Sequence, residues 1–124
     1  MFAWEGAVAV AKLTDAGRVG SHRFITCAPK KGVATSNFLC FYFLTKEGLA
    51  KLGEASPGGA GRNRTLGIEA LSKINVPVLQ YEKQIWFDNL LKKVGVIKCL
   101  QNETEAELNA LLSSVLDKAF NRAL

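Results

Sequence analysis

Residues 81–124 read YEKQIWFDNL LKKVGVIKCL QNETEAELNA LLSSVLDKAF NRAL, and this stretch decides how the chain divides. It contains no proline, and its apolar residues recur at helical spacing. Leu90, Val94 and Ile97 step by four and three, and Leu108, Leu111 and Val115 resume the same rhythm. Gln101 and Thr104 occupy the positions between, so the seam is apolar at both ends and polar in the middle. Two arrangements satisfy this pattern. One is a single long helix with a weakened centre. The other is a helical hairpin broken near Gln101-Asn102, where Asn102 and Glu105 imitate a capping box. Gly95 costs about 1 kcal/mol relative to alanine in both. Such a seam cannot be buried by the helix that carries it, so it needs a partner surface.

Residues 1–80 read differently, as mixed α and β. Ala7 to Leu13 is small, apolar and valine-containing, the composition of a strand buried on both faces. Asp15 to Gly20 supplies turn chemistry, since its glycines accept positive φ. Arg23 to Cys27 follows as a second short strand with Phe24 in the core, and the two suggest a hairpin. Ser36 is placed to cap a buried helix through Leu44. Lys46 to Ala55 reads as an amphipathic helix with Leu49 and Leu52 on one face. Ser56 to Gly61 ends it, and Ile74 to Leu79 reads as an edge strand carrying Pro77. The expected fold is therefore α+β. A small sheet with helices fills 1–80, and a long C-terminal helix or helical hairpin fills 81–124.

Composition narrows the function. With 124 residues, 48% hydrophobic and 22% charged, the chain has the make-up of one globular domain and not of a disordered tail. No run approaches the roughly 18 apolar residues that span a membrane, and no secretory leader is seen. Cys27, Cys40 and Cys99 are odd in number and widely spaced, which favours a reducing, cytoplasmic compartment with each thiol in or near the core. The net charge of +5 is one-ended: ten Lys and Arg face five Asp and Glu in 1–80, and six face six in 81–124. A basic front half suits a polyanion such as DNA.

Catalytic chemistry has no foothold in the sequence. His22 is the sole histidine, which leaves no dyad and no multi-histidine metal site. The glycines before Arg62-Asn63-Arg64 lack the Lys-Ser/Thr of a phosphate-cradling loop, and no carboxylate pair stands out. Neither a cofactor nor a metal is expected. Arg62, Asn63 and Arg64 instead combine a backbone that permits close approach with side chains that read base edges and phosphates. Their plainer role is to pin the loop to nearby carbonyls. Arg18, His22, Arg23, Lys30 and Lys31 form a second basic group, either DNA-facing or simply solvated. Phe38, Phe41, Tyr42 and Phe43 fit core packing better than a base-stacking platform. Trp86 and Phe87 are placed to clamp the back helix onto the front segment.

Several of these stretches resemble a known family. Leu111-Leu112-Ser113-Ser114-Val115-Leu116-Asp117-Lys118-Ala119-Phe120 resembles the C-terminal signature of specificity (S) subunits of type I restriction–modification systems. The run from Ala55 to Leu66 is similar to the loop that ends their target-recognition domains. Ile74-Asn75-Val76-Pro77 through Glu82-Lys83-Gln84 resembles the junction into their conserved helix. Gly6–Lys12 and Gly20–Phe24 are similar to the central strands of the recognition domain. Two features depart from the pattern. Leu79-Gln80-Tyr81 stands where a proline pair is usual, and only the latter half of one recognition domain plus one helical region is matched. The resemblance implies a truncated derivative or a short half-subunit.

The same resemblance implies a partial target-recognition domain over 1–80 and a helical dimerisation and spacer region over 81–124. It implies a non-catalytic protein that binds double-stranded DNA and docks methyltransferase subunits or a second S-type chain, while its partners use the methyl donor and ATP. Leu108, Leu111, Leu112, Val115, Leu116 and Phe120 are the expected interface, most simply in a homodimer through the C-terminal helices. The competing expectation is an S-subunit-like interaction module that no longer reads DNA.

Overall fold

A computed structural model describes residues 2–58 and 65–123. Its elements are 3-10 turns at Ala3–Glu5 and Leu13–Asp15, then α1 (Ser36–Leu44), α2 (Lys46–Glu54), α3 (Ile68–Ser72) and α4 (Tyr81–Ala123). Among the described residues there is no strand, so the expected α+β fold with a small sheet is wrong. The chain divides into two compact units, Met1–Asp88 and Asn89–Leu124.

The expected strands fail because local bonds take up the groups a ladder would use. Asp15 accepts the Lys12 N–H at 3.0 Å, and the Asp15 N–H reaches the Lys12 carbonyl at 2.9 Å, which winds Leu13–Asp15 into a turn. Ser21 accepts the Arg23 N–H through its hydroxyl (3.3 Å) and the Phe24 N–H through its carbonyl (3.0 Å). Gly17 does take a left-handed φ of 84°, but the turn joins no hairpin. With no sheet to enter, Leu13, Val19 and Phe24 are 95%, 97% and 72% exposed, so Phe24 is not a core residue. Ile74 to Leu79 is also unpaired. Its Asn75 carbonyl accepts from Lys51 Nζ (2.9 Å) and its Leu79 carbonyl from Gln84 Nε2 (2.7 Å), so side chains stand in for a neighbouring strand.

The core of the front unit is built on α1 and α2. Thr35, not Ser36, caps α1: its hydroxyl accepts the Phe38 N–H at 3.2 Å. Phe38 and Tyr42, four residues apart, face inward together, while Phe41 is exposed. Thr45 ends α1 and starts α2, donating its hydroxyl to the Tyr42 carbonyl (2.6 Å) and accepting the Gly48 N–H (3.1 Å). This corner requires glycine at 48. A Cβ there would lie 2.7 Å from Phe43 Cα and closer still to the Tyr42 carbonyl, and neither backbone atom can yield cheaply. Across α2, Leu52 is buried, and Ser56 closes the helix end by donating to the Leu52 carbonyl at 2.6 Å. The first 3-10 turn packs against α2.

The thiols depart from expectation: Cys27 and Cys99 are exposed, and only Cys40 is partly covered. It points at the Val8 carbonyl, 3.8 Å away, and burial pushes its pKa up.

The second unit is helix from Asn89 to Ala123. α4 is a single helix, unbroken at Gln101-Asn102, so one long helix is formed and not a hairpin. From Asn89 to Arg122 every side chain is exposed.

Candidate functional site

The expected DNA-contact residues fall into two groups. Arg62, Asn63 and Arg64 lie outside the described residues. Arg18, His22, Arg23, Lys30 and Lys31 are all exposed, in irregular chain between the second 3-10 turn and α1. Arg18 Nε stands 3.9 Å from Asp15 Oδ1, a loose ion pair in which the arginine side chain is 78% exposed. Such a pair contributes little and leaves the guanidinium usable. The Lys30 carbonyl accepts the N–H groups of Val33 and Ala34 in a turn that leads into α1. Among the described residues there is no sheet edge for these cations to share.

The most fully built polar site is one that periodicity does not reveal. Gln84, in the first turn of α4, is completely buried. Its Oε1 accepts the Thr35 N–H at 2.9 Å, and its Nε2 donates to the carbonyls of Val33 (3.0 Å) and Leu79 (2.7 Å). Thr35 Oγ1 donates to Asp88 Oδ1 at 3.2 Å, one helical turn further on. One amide thus serves the backbone on both sides of it, from the approach to α1 and from the approach to α4. Phe87 adds an edge-to-face contact with Phe41, ring centroids 5.2 Å apart. Of the expected aromatic clamp, Phe87 takes that part and Trp86, 66% exposed, does not. Nothing in Glu82-Lys83-Gln84 marks the third residue as buried, because all three polar types suit a solvated first turn equally well.

A second cluster fastens the stretch before α4. Lys51 Nζ donates to Tyr42 Oη (2.8 Å) and to the Asn75 carbonyl (2.9 Å), and lies 3.0 Å from Glu47 Oε1. Tyr42 Oη donates in turn to Glu47 Oε1 at 3.1 Å. The lysine bond, followed by the tyrosine bond, lowers the Glu47 pKa, and the tyrosine and glutamate bonds raise that of Lys51. The cluster is held by a carboxylate and an ammonium in their charged forms, which is structural work.

Along the second unit the expected interface residues are all uncovered. Leu108, Leu111, Leu112, Val115, Leu116 and Phe120 are between 46% and 68% exposed. Ile97, Leu100, Gln101, Thr104, Glu105 and Leu108 border one shallow hollow along the helix, which places the polar middle of the seam on the same side as its apolar flank.

Among the described residues no group of three or more His, Cys, Asp or Glu is placed to hold a metal ion, and no helix is long and apolar enough to cross a membrane. Compared with family models, curated proteins and solved structures, the chain matches none.

Proposed function

We propose that this chain is a non-catalytic assembly subunit of the type I specificity-subunit kind, with α4 as its docking helix. The observation that carries this reading is the seam of α4. α4 is about 64 Å long at 1.5 Å per residue, and the leucines and valines of its seam, from Leu90 to Val115, are left in water. An apolar run of this extent on a soluble chain marks an association surface. The partner is a second S-type chain or a methyltransferase subunit. The exposed cations from Arg18 to Lys31 would add phosphate contacts to double-stranded DNA, with catalysis left to other subunits.

The absence of a strand among the described residues favours a second reading, in which the chain assembles but does not read DNA. Gel-shift titration over a salt series separates the two. Phosphate contacts demand a steep loss of affinity with salt, and a pure assembly module shows no shift at any salt. Docking itself is tested with Leu111→Asp combined with Val115→Asp, which places two charges in the seam. Sedimentation and capture of a methyltransferase subunit should both weaken. A variant indistinguishable from the parent in both would overturn the assembly reading.

A further inference from the structure

We infer that Gln84 is a positioning residue for phosphate binding: it fixes the turn carrying Lys30 and Lys31 onto the helical turn carrying Lys83. The inference rests on the DNA-contact arm of the reading above. The Lys30 carbonyl accepts the N–H groups of Val33 (3.1 Å) and Ala34 (3.2 Å), with Gly32 at a left-handed φ of 81°. The next groups along the chain are held by Gln84. Its Nε2 donates to the Val33 carbonyl at 3.0 Å, and its Oε1 accepts the Thr35 N–H at 2.9 Å. The second Nε2 hydrogen goes to the Leu79 carbonyl at 2.7 Å. A neutral carboxamide accepts once and donates twice here; a carboxylate lacks the donors and an ammonium lacks the acceptor.

The cations from Arg18 to Lys31 are not held alike. Around Arg18 and Arg23 the backbone bonds are local, to Asp15 and Ser21. The Lys30 turn is instead anchored by a partner 49 and 51 positions away from the groups it holds. An anchored turn has less freedom to lose when phosphates bind, so its two lysines contribute more affinity than cations on a loose chain. Lys30, Lys31 and Lys83 are exposed, and among the described residues none of them forms an ion pair. Of the carboxylates near Gln84 on α4, Asp88 is engaged by Thr35 Oγ1. The other, Glu82, lies about 200° round the helix from Gln84.

The test measures binding of the full chain to a short mixed-sequence DNA duplex over a salt series, since phosphate contacts do not depend on sequence. Lys30→Ala combined with Lys31→Ala should reduce the salt slope by about 2. Gln84→Met keeps the side-chain volume, adds no charge and removes the three bonds, and it should weaken duplex binding several-fold. Gly32→Ala strains the same turn from outside the core, where nothing lies within 4 Å of the new Cβ, and should act in the same direction. With Lys30→Ala and Lys31→Ala already in place, neither change should weaken binding further. Losses of equal size in both backgrounds would make the role of Gln84 purely structural and overturn the inference. Parental affinity in Gln84→Met and Gly32→Ala would overturn it too, and Gly32→Ala alone decides where Gln84→Met loses the parent's helical spectrum. A parent whose steep salt slope is unchanged by the lysine pair keeps the DNA reading and refutes the positioning role. A parent that binds no duplex at any salt refutes both.

Discussion

The two units of this molecule are held by opposite means. In Met1–Asp88 a small apolar set, Ala34, Phe38, Tyr42 and Leu52, is buried beside Thr35, Ser56 and Gln84. Hydrogen bonds to side chains do much of the tying there, because so little apolar surface is enclosed. In Asn89–Arg122 no described side chain is enclosed, and order rests on the internal bonds of a helix. An isolated helix is marginal in water, and under the proposed assembly reading this unit gains stability from what docks on its seam. The front unit should therefore respond to loss of single buried groups, and the back unit to whatever occupies its seam.

The sharpest break in that contrast comes from matched truncations. Leu52→Ala should cost about 2–5 kcal/mol in urea unfolding, because Leu52 is 2% exposed. Val96→Ala, at a position 60% exposed and off the seam, should change stability by less than about 0.5 kcal/mol. Equal effects would mean that the two units do not differ in this way. Gln84→Ala comes next. It removes partners from the Thr35 N–H and from the Val33 and Leu79 carbonyls, for a loss of about 1–3 kcal/mol. A negligible loss would show that the first turn of α4 is held by Phe87 alone.

Gly95→Ala acts in the other direction. Nothing lies within 4 Å of the added methyl, so the helix should gain about 1 kcal/mol, read as higher ellipticity and a higher melting temperature. No gain would mean that α4 is already fixed by its partner. The smallest effect concerns pH. The folded Glu47 pKa is lowered, so its contribution is complete above the ordinary carboxylate value and is lost as pH falls through the lowered one. Lys51 is raised, so its share is present below the ordinary lysine value and lost as pH rises through the raised one. Glu47→Gln should flatten the acid limb of the stability profile only slightly, since both side chains are partly in water.

Periodicity made α2 and α4 legible, whereas α3, only five residues long, went unread. Leu49 and Leu52 mark α2, and the recurrence from Leu90 to Val115 marks α4, with Pro77 and the glycines near 58–61 punctuating between. The exposed apolar face of α4 was legible for the same reason, as apolar residues at helical spacing share one side of a helix. Ala7–Leu13, Arg23–Cys27 and Ile74–Leu79 were not legible. A short apolar run becomes a strand only if another strand offers its ladder, and here Asp15, Ser21, Lys51 and Gln84 offered side chains and turns to those backbones first.

The sequence by itself determined what depends on neighbours along the chain: where the longer helices run, where glycine and proline interrupt them, and which end carries the positive charge. Tertiary structure alone decided that Gln84 is buried between Thr35, Val33 and Leu79, that Lys51 meets Asn75, and that residue 48 has no room for a Cβ. Those contacts join residues up to 51 positions apart. A polar side chain carries no mark of whether it will meet water or a distant carbonyl, because its hydrogen-bonding groups are the same in both places.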